Sequence, residues 1–179
     1  MKLDSLGESE AKLILAIGNE NANKIWEGGS QKGWKKPHQH AGRKAKEEWI
    51  KSKYLWRGFI DFSQDDAKTH IEREEKSCKA MYEAAKSGDV LGLAEALARG
   101  ANTGWQNAED ENRTALHVCA QCKSSDSEEQ WKAIECAELL LQNGSKLEAK
   151  DNFSHGVLDA ALIGSADRDM IEYLSMKMG

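Results

Sequence analysis

The chain has 179 residues, enough for one ordinary domain or two small ones, and 40% of them are hydrophobic and 31% charged. Its net charge of −5 argues against general nucleic-acid binding. No apolar run approaches the ~18 residues of a membrane span, and the N-terminus lacks the apolar stretch of a signal peptide. Residues 1–60 carry 12 Lys/Arg against 7 Asp/Glu, whereas residues 61–179 carry 13 against 23. This asymmetry predicts two units with different surfaces.

The first part of the chain predicts short helices separated by turns. Residues 8–27 predict a helix interrupted once, at Gly18-Asn19, because glycine takes the positive φ of a helix end at no steric cost. Residues 28–42 predict a loop, since several glycines and Pro37 interrupt any periodicity.

A basic helix and a charged connection follow. Residues 43–57 predict a helix whose apolar face contains Trp49, Ile50 and Tyr54, with the lysines on the other side. Residues 64–77 are highly charged with few apolar positions, which predicts a solvated helix or linker joining the two units.

From residue 79 onward the sequence repeats, with equivalent starts near 79, 114 and 155. The spacings of 35 and 41 residues are close to the ~33 of an ankyrin repeat, in which a turn precedes two helices. The copies are marked by Ala84-Ala85, Gly88-Asp89, Leu97 and Gly100-Ala101; by Thr114-Ala115-Leu116-His117, Ala120, Leu139-Leu140-Leu141 and Asn143-Gly144; and by Ala160-Ala161, Ile171, Tyr173 and Leu174.

The repeats predict an array held together by stacking. Each helix pair buries only one face by itself, so about three copies are the minimum for stability. Thr114 and His117 are expected to hydrogen-bond locally and hold their turn. The second copy carries extra polar residues within 123–133, which we expect to loop out between its helices. The third has His155-Gly156-Val157-Leu158 in place of the signature, as an end-capping repeat or a truncated gene model would.

A metal site is one interpretation of His117, Cys119, Cys122 and Cys136, because these ligand types lie at short spacing. We favour a structural role. Cys119 and Ala120 fall at the alanine-pair position of a repeat helix, where cysteine packs as a small hydrophobe. Without a secretion signal, the four cysteines of the chain are expected to be reduced thiols.

The basic stretch at residues 32–57 holds nine Lys/Arg and two acids, interleaved with Trp34, Trp49, Tyr54 and Trp56. We favour a solvated basic helix face with its aromatic side chains in the core. Two alternatives stay open: a surface that faces a partner protein or an anionic membrane, and a nucleic-acid contact.

An ordered series of short motifs resembles the C-terminal half of the Arf GTPase-activating (GAP) domain. No single motif is specific, but the whole series in order is. Its members are Leu3-Asp4-Ser5-Leu6, Gly18-Asn19, Asn23-x-x-Trp26-Glu27, Lys36-Pro37, Arg43, Glu48-Trp49-Ile50-x-x-Lys53-Tyr54 and Phe59. With ankyrin repeats directly after it, the chain resembles the centaurin-type proteins that combine coiled-coil or BAR, pleckstrin-homology, Arf GAP and ankyrin domains.

The resemblance implies an all-α fold in three parts. Residues 1–60 would be the C-terminal half of an Arf GAP domain, present as a helical remnant. Residues 61–78 would be a charged helical linker, and residues 79–179 two to three stacked ankyrin repeats (about 79–113, 114–151 and 152–179).

The same resemblance implies an activity, partners and a location. The family activates GTP hydrolysis on Arf-family small GTPases in membrane trafficking, and its ankyrin repeats bind protein partners. The expected location is cytoplasmic, peripheral at endosomal or plasma membranes through domains outside this chain, with no membrane span and no nucleic acid bound.

One departure from the family pattern limits what is carried over. The family's zinc finger has two Cys-x2-Cys pairs followed by a catalytic arginine, whereas residues 1–60 contain no cysteine, and Arg43 and Arg57 lie elsewhere in the motif. We therefore expect a fragment without the finger: no catalytic, cofactor-binding or metal-binding residue, no bound zinc, and no GTPase activation by the chain alone. It would not itself be an enzyme. The alternative function is a non-catalytic ankyrin scaffold for protein–protein interaction.

Overall fold

The structure is a computed structural model that describes residues 7–29, 34–63, 65–122 and 127–179. Three of the features singled out in the sequence lie partly or wholly outside the described residues. They are the motif at residues 3–6, the end of the glycine-rich stretch at 30–33, and the first part of the insertion, residues 123–126.

Within these ranges the regular secondary structure is helical apart from one short hairpin, so the predicted all-α class is confirmed. The helices are α1 (Glu8–Glu27), α2 (Arg43–Ile50), a π-helical segment (Lys51–Leu55) that continues α2, α3 (His70–Ser87), α4 (Val90–Ala98), α5 (Ala115–Ala120), α6 (Ser127–Gln142), α7 (Val157–Ile163) and α8 (Arg168–Met178). Strands β1 (Gln106–Asn107) and β2 (Arg113–Thr114) pair antiparallel, with Gln106 opposite Thr114.

Six of the helices form three stacked pairs: α3 with α4, α5 with α6, and α7 with α8. The first helices of the pairs, α3, α5 and α7, pack on one another as an inner layer, and α4, α6 and α8 pack as an outer layer. Small side chains at the predicted alanine-pair positions are fully buried between the layers, which allows close approach of the helices. They are Ala85, Cys119, Ala120 and Ala161.

The turn between α3 and α4 shows how the sequence starts and stops these helices. Gly88 ends α3 in the left-handed conformation, with φ 69°, and its N–H donates to the carbonyl of Ala84. Asp89 then caps α4, because its side chain accepts a hydrogen bond of 2.9 Å from the N–H of Gly92. The predicted turn at Gly88-Asp89 is confirmed.

Helix α1 packs on the outer layer, against α4 and α6. It bends at Gly18, which has φ 62° and ψ 159°, so the predicted interruption is confirmed. Leu13, before the bend, is buried in the same hydrophobic cluster as the three helix pairs, and Ile17 packs against that cluster. The segment before Gly18 therefore packs with the helix pairs, whereas the segment after it contributes to a different core.

The segment after the bend helps to build a second, smaller core. Trp49 stacks on Phe59 with ring centroids 4.5 Å apart, and Trp34 meets Phe59 edge-on at 5.5 Å. Trp26 of α1 meets Tyr54 edge-on at 5.2 Å. Trp49 and Phe59 are buried.

The predicted apolar face of the basic helix is wrong in part. Trp49 is buried, but Ile50 and Tyr54 are exposed, whereas Lys53 is buried. The i, i+4 relation places Lys53 on the same helix face as Trp49. Its ammonium donates to Asn23 Oδ1 at 2.6 Å and to Glu27 Oε1 at 2.8 Å, and these partners compensate the buried charge.

Two segments around the repeats differ from the simplest sequence expectation. Helix α3 runs without a break from His70 to Ser87, across the boundary that the sequence places at residue 78. The insertion expected to loop out at residues 123–133 is helical from Ser127 onward. Because Ser-Glu-Glu is a common helix start, the polar residues lengthen α6 instead of forming only a loop.

Gly29 generates a prediction about the small core. Its N–H donates to the carbonyl of Phe59, and a Cβ there would lie 2.8 Å from the carbonyl oxygen of Ile60. We expect Gly29→Ala to lower the free energy of unfolding by about 1–3 kcal/mol, because backbone cannot move aside as a side chain can. Urea denaturation measures this loss.

Gly42→Ala is the matched control for that measurement. Gly42 has φ −60°, and an added Cβ would meet nothing within 4 Å. Its cost should stay below about 1 kcal/mol, the range of a weakened helix N-cap. Equal stability of the two variants would contradict the close-approach interpretation.

Candidate protein-binding site

The loops that precede α5 and α7 are aligned side by side by hydrogen bonds between the second and third helix pairs. Asn112 Nδ2 donates to Asn152 Oδ1 at 2.6 Å, and the N–H of Asn152 donates to the carbonyl of Glu111 at 2.9 Å. Gln106 Nε2 donates to the carbonyl of Lys150 at 2.8 Å. The loops therefore form one continuous edge beside the inner helices.

The predicted role of Thr114 and His117 is confirmed. Thr114 Oγ1 lies 2.8 Å from His117 Nδ1, and the fully buried imidazole reaches the carbonyl of His155 with Nε2 at 3.3 Å. Burial lowers the pKa of His117, although the His155 carbonyl and the Asp151 carboxylate oppose that lowering. His117 thus joins two neighbouring helix pairs as a neutral side chain.

A pocket of about 260 Å³ opens between this loop edge and the ends of α5 and α7. Its walls come from the loop edge and the inner helices, the elements that line the concave binding surface of solenoid proteins, and we call it the concave pocket. Its walls combine charged, amide and apolar side chains: Glu111, Arg113, Gln121, Asp151, Phe153, His155, Ala160 and Ile163.

Asp151 is the buried charge of the pocket. Its Oδ1 accepts the N–H groups of Phe153 at 2.9 Å and His155 at 2.8 Å. Burial raises the pKa of Asp151, but these backbone donors and the neighbouring histidines outweigh it, so the pKa lies below its usual range. Its Oδ2 lies 3.4 Å from His155 Nδ1 and 3.9 Å from Arg113 Nε. The second carboxylate oxygen of Asp151 is therefore buried and faces His155 and Arg113.

Exposed apolar side chains border the pocket. Phe153 lies in the loop before α7 and Ile163 lies at the end of that helix, and each residue is more than half exposed. Exposed apolar side chains beside a few polar groups mark a candidate contact site, since apolar burial supplies affinity and polar groups fix orientation.

The possible metal ligands do not converge. The Cys119 thiol points to the carbonyl of Ala133 at 3.1 Å, and the Cys122 thiol to that of Lys86 at 3.1 Å. The neighbouring Cys136 thiol, together with burial, raises the pKa of Cys119 well above its usual range, which disfavours the thiolate that a metal needs. In the part of the chain that the structure describes, no group of three or more His, Cys, Asp or Glu is placed to hold a metal ion.

A buried carboxylate joins α1 to the outer layer. Glu138 of α6 has a side chain only 2% exposed. We call its cluster the Glu138 junction: Oε2 accepts from Ser9 Oγ of α1 and Tyr173 OH of α8, each at 2.8 Å, and lies 2.9 Å from Lys177 Nζ. Gln142 Nε2 donates to Oε1 at 3.0 Å. Three helices thus share one negative charge.

Sequence reasoning missed both of these sites. A signal was present for each: Glu138 is a lone acid inside the apolar run from Cys136 to Leu141, and Phe153 is a large aromatic residue in a polar loop. The two arginines that were not assigned a catalytic role lie apart from both sites. Arg43 is exposed and pairs with Glu47 at 2.6 Å, and Arg57 has a positive φ of 51°.

The stacked helix pairs, the hairpin and the concave pocket define an all-α protein that contains ankyrin-type repeats. The family model of the ankyrin repeat matches residues 111–152, which include β2, α5 and α6. The predicted ankyrin repeat is therefore confirmed in the middle of the stack.

Two curated relatives identify the proteins that the whole chain resembles. It is 24% identical over 241 aligned residues, 91% of this chain, to the Gallus gallus protein named Arf-GAP with coiled-coil, ANK repeat and PH domain-containing protein 2. It is 27% identical over 124 residues, 65% of this chain, to the Homo sapiens protein of the same name. The predicted resemblance is confirmed, and the chain spans 30% and 16% of the lengths of these two relatives.

Among the residues that the structure describes, no helix is both long enough and apolar enough to span a bilayer.

The Glu138 junction generates a prediction about stability. Replacing Glu138 by alanine removes the carboxylate that joins three helices. Ser9, Tyr173 and Lys177 then lose their shared acceptor. We expect a loss of about 3 kcal/mol in the free energy of unfolding, since breaking a buried charge pair is costly. Glu172→Ala, which removes only the exposed pair with Arg168, is the control and should cost less than about 1 kcal/mol.

The junction also has a pH signature. Burial raises the pKa of Glu138, but hydrogen bonds from Lys177, Ser9, Tyr173 and Gln142 outweigh it and lower the pKa below 4.5. The stabilisation is therefore fully present above pH 4.5 and disappears as the pH falls through the lower folded-state pKa. The stability difference between the natural chain and Glu138→Gln should shrink in that acidic window; a constant difference would contradict the assignment.

Proposed function

We propose that the chain works within the Arf GTPase-activating family as a protein-interaction module, and that it binds a partner protein through the concave pocket. The observation that carries this proposal is the pocket between the second and third helix pairs, where buried Asp151 lies beside exposed Phe153 and Ile163. The names of the relatives place Arf GTPase activation and ankyrin repeats in one protein, which supports the family assignment.

We further propose the division of the chain into an Arf GAP-like part (1–60), a connecting segment (61–78) and ankyrin repeats (79–179). The packing of α1 supports a fixed relation between the first and last parts. Leu13 lies in the hydrophobic cluster of the helix pairs, and Ser9 donates to Glu138. A partner held in the concave pocket would therefore be held at a defined position relative to the Arf GAP-like helices.

Catalysis by this chain alone is not part of the proposal. Residues 1–60 contain no cysteine that could hold the structural zinc of an Arf GAP domain. The family also uses an arginine to stabilise transition-state charge, and neither Arg43 nor Arg57 matches the position of that arginine.

The concave pocket can be tested by substitution at its rim. We expect Phe153→Ser with Ile163→Ser to abolish capture of specific partner proteins by the immobilised chain while the fold is retained, because both side chains are already exposed. Met176→Ser with Met178→Ser, which changes equally exposed apolar side chains at the end of α8, is the matched control and should retain the same partners. Quantitative mass spectrometry of the captured proteins measures the difference; partners lost equally from both variants would contradict the assignment of the pocket.

Activation of GTP hydrolysis by the chain alone can be measured directly. In single-turnover hydrolysis of GTP bound to Arf, we expect the chain to leave the rate at the intrinsic value. An intact Arf GAP protein is the positive control in the same experiment. Acceleration by this chain near that of the intact protein would contradict the non-catalytic proposal and favour direct GTPase activation.

A further inference from the structure

A second exposed surface lies far along the chain from the concave pocket, on α2 and the π-helical segment. Four large apolar side chains are exposed there: Ile50 by 53%, Tyr54 by 49%, Leu55 by 69% and Trp56 by 64%. Exposed Arg43, Lys44 and Lys51 lie on the same two segments. We call these seven residues the basic-aromatic surface.

The helical geometry places its charged and apolar members side by side. The N–H of Trp56 donates to the carbonyl of Lys51 at 3.0 Å, so the two residues are one π-helical turn apart. Leu55 stands four positions after Lys51, on the adjoining part of that turn. Lys44 precedes Lys51 by two α-helical turns. The row from Lys44 through Lys51 to Leu55 and Trp56 therefore runs along one side of the helix.

This arrangement overturns part of the interpretation favoured from the sequence, in which the aromatic side chains occupy the core. Trp49 does, but Trp34, Tyr54 and Trp56 are exposed, and Tyr54 contacts the small core through its edge-on contact with Trp26. Lys53 takes the inward position next to Trp49 and pairs with Glu27. The basic stretch is thus more than a solvated charged face. It exposes an apolar end that water does not favour.

The charge of the surroundings is positive. Residues 43–57 hold five exposed Lys/Arg against two exposed glutamates, Glu47, which pairs with Arg43, and Glu48, which lies between Lys44 and Lys51. The sixth basic residue, Lys53, is buried and paired with Glu27. Residues 61–179 carry 13 Lys/Arg and 23 Asp/Glu. An anionic surface would therefore attract this end of the molecule and repel the ankyrin-type pairs, which orients the chain.

The exposed side chains favour a bilayer over a nucleic acid as the occupant. Trp and Tyr prefer the headgroup level of a membrane, where the ring is buried and its polar group stays wet. Leu55 and Ile50 gain from acyl chains, whereas they offer neither a stacking plane nor a hydrogen bond to a base. Lysines around such an apolar end attract anionic lipid headgroups.

We propose that the basic-aromatic surface docks this chain peripherally on anionic phospholipid bilayers, with Leu55 and Trp56 entering the headgroup region and Lys44 and Lys51 contacting lipid phosphates. The contact belongs to the chain itself and does not depend on the concave pocket. It would place a partner held in that pocket near the membrane.

The test is sedimentation of the full chain with vesicles of phosphatidylcholine, alone or with phosphatidylserine. We expect binding only to the mixed vesicles, and weakening of that binding as salt is raised. Lys44→Gln with Lys51→Gln should weaken partitioning by about 30-fold, the combined effect of two basic residues near an anionic surface. Leu55→Ser with Trp56→Ser should abolish sedimentation with the mixed vesicles, and Leu55→Ser alone should reduce the blue shift of tryptophan emission on vesicle addition, because Trp56 stays in place as the reporter.

Matched controls separate this surface from general effects. Lys79→Gln changes an exposed lysine on α3, and Met176→Ser with Met178→Ser changes exposed apolar side chains on α8; both should bind vesicles as the natural chain does. The Phe153→Ser, Ile163→Ser variant should also bind normally, so the docking surface and the proposed function can fail independently. Circular dichroism verifies that each variant is folded.

Three results would overturn the proposal. They are no sedimentation of the natural chain with mixed vesicles at low salt, unchanged binding by both surface variants, or competition of duplex DNA for the surface with higher affinity than the vesicles. The last result would assign the surface to nucleic acid instead.

Discussion

The position of the first helix, α1, relative to the last helix, α8, depends on one buried carboxylate. Glu138 lies on α6 and accepts hydrogen bonds from side chains of α1 and α8. Lys177 supplies the opposite charge. A buried ion pair adds little stability compared with an apolar replacement, but it disfavours arrangements that leave the charge without its partners. We infer that the junction selects one position of α1 on the outer layer, and that Leu13 contributes the apolar burial.

That position has consequences on both sides of Gly18. The first half of α1 becomes part of the repeat core, and the second half supports the small aromatic core through Trp26 and the Lys53–Glu27 pair. The two proposed binding surfaces are then carried by different cores. The concave pocket is built on loops aligned by Asn112 and Asn152, and the basic-aromatic surface is carried by the π-helical segment.

Much of the local structure could be predicted because its causes are local. Gly18 and Gly88 take backbone conformations that favour glycine, so the bend and the turn follow from residue type. Thr114 and His117 hydrogen-bond within one turn of chain. The face of the basic helix was predicted less well, because Lys53 was assigned to solvent by its charge, whereas its neighbours on α1 decide its burial.

The sequence by itself therefore determined the helical class, the ankyrin-type repeat and the resemblance to the Arf GAP relatives, since these depend on periodicity and on short ordered motifs. Only the tertiary structure decided that Glu138 is a junction, that Asp151 and Phe153 share a pocket with Ile163, and that Leu55 and Trp56 stay exposed. Ser9 and Glu138 are 129 positions apart. Contacts over such a separation are set by how the helices stack, which no local pattern encodes.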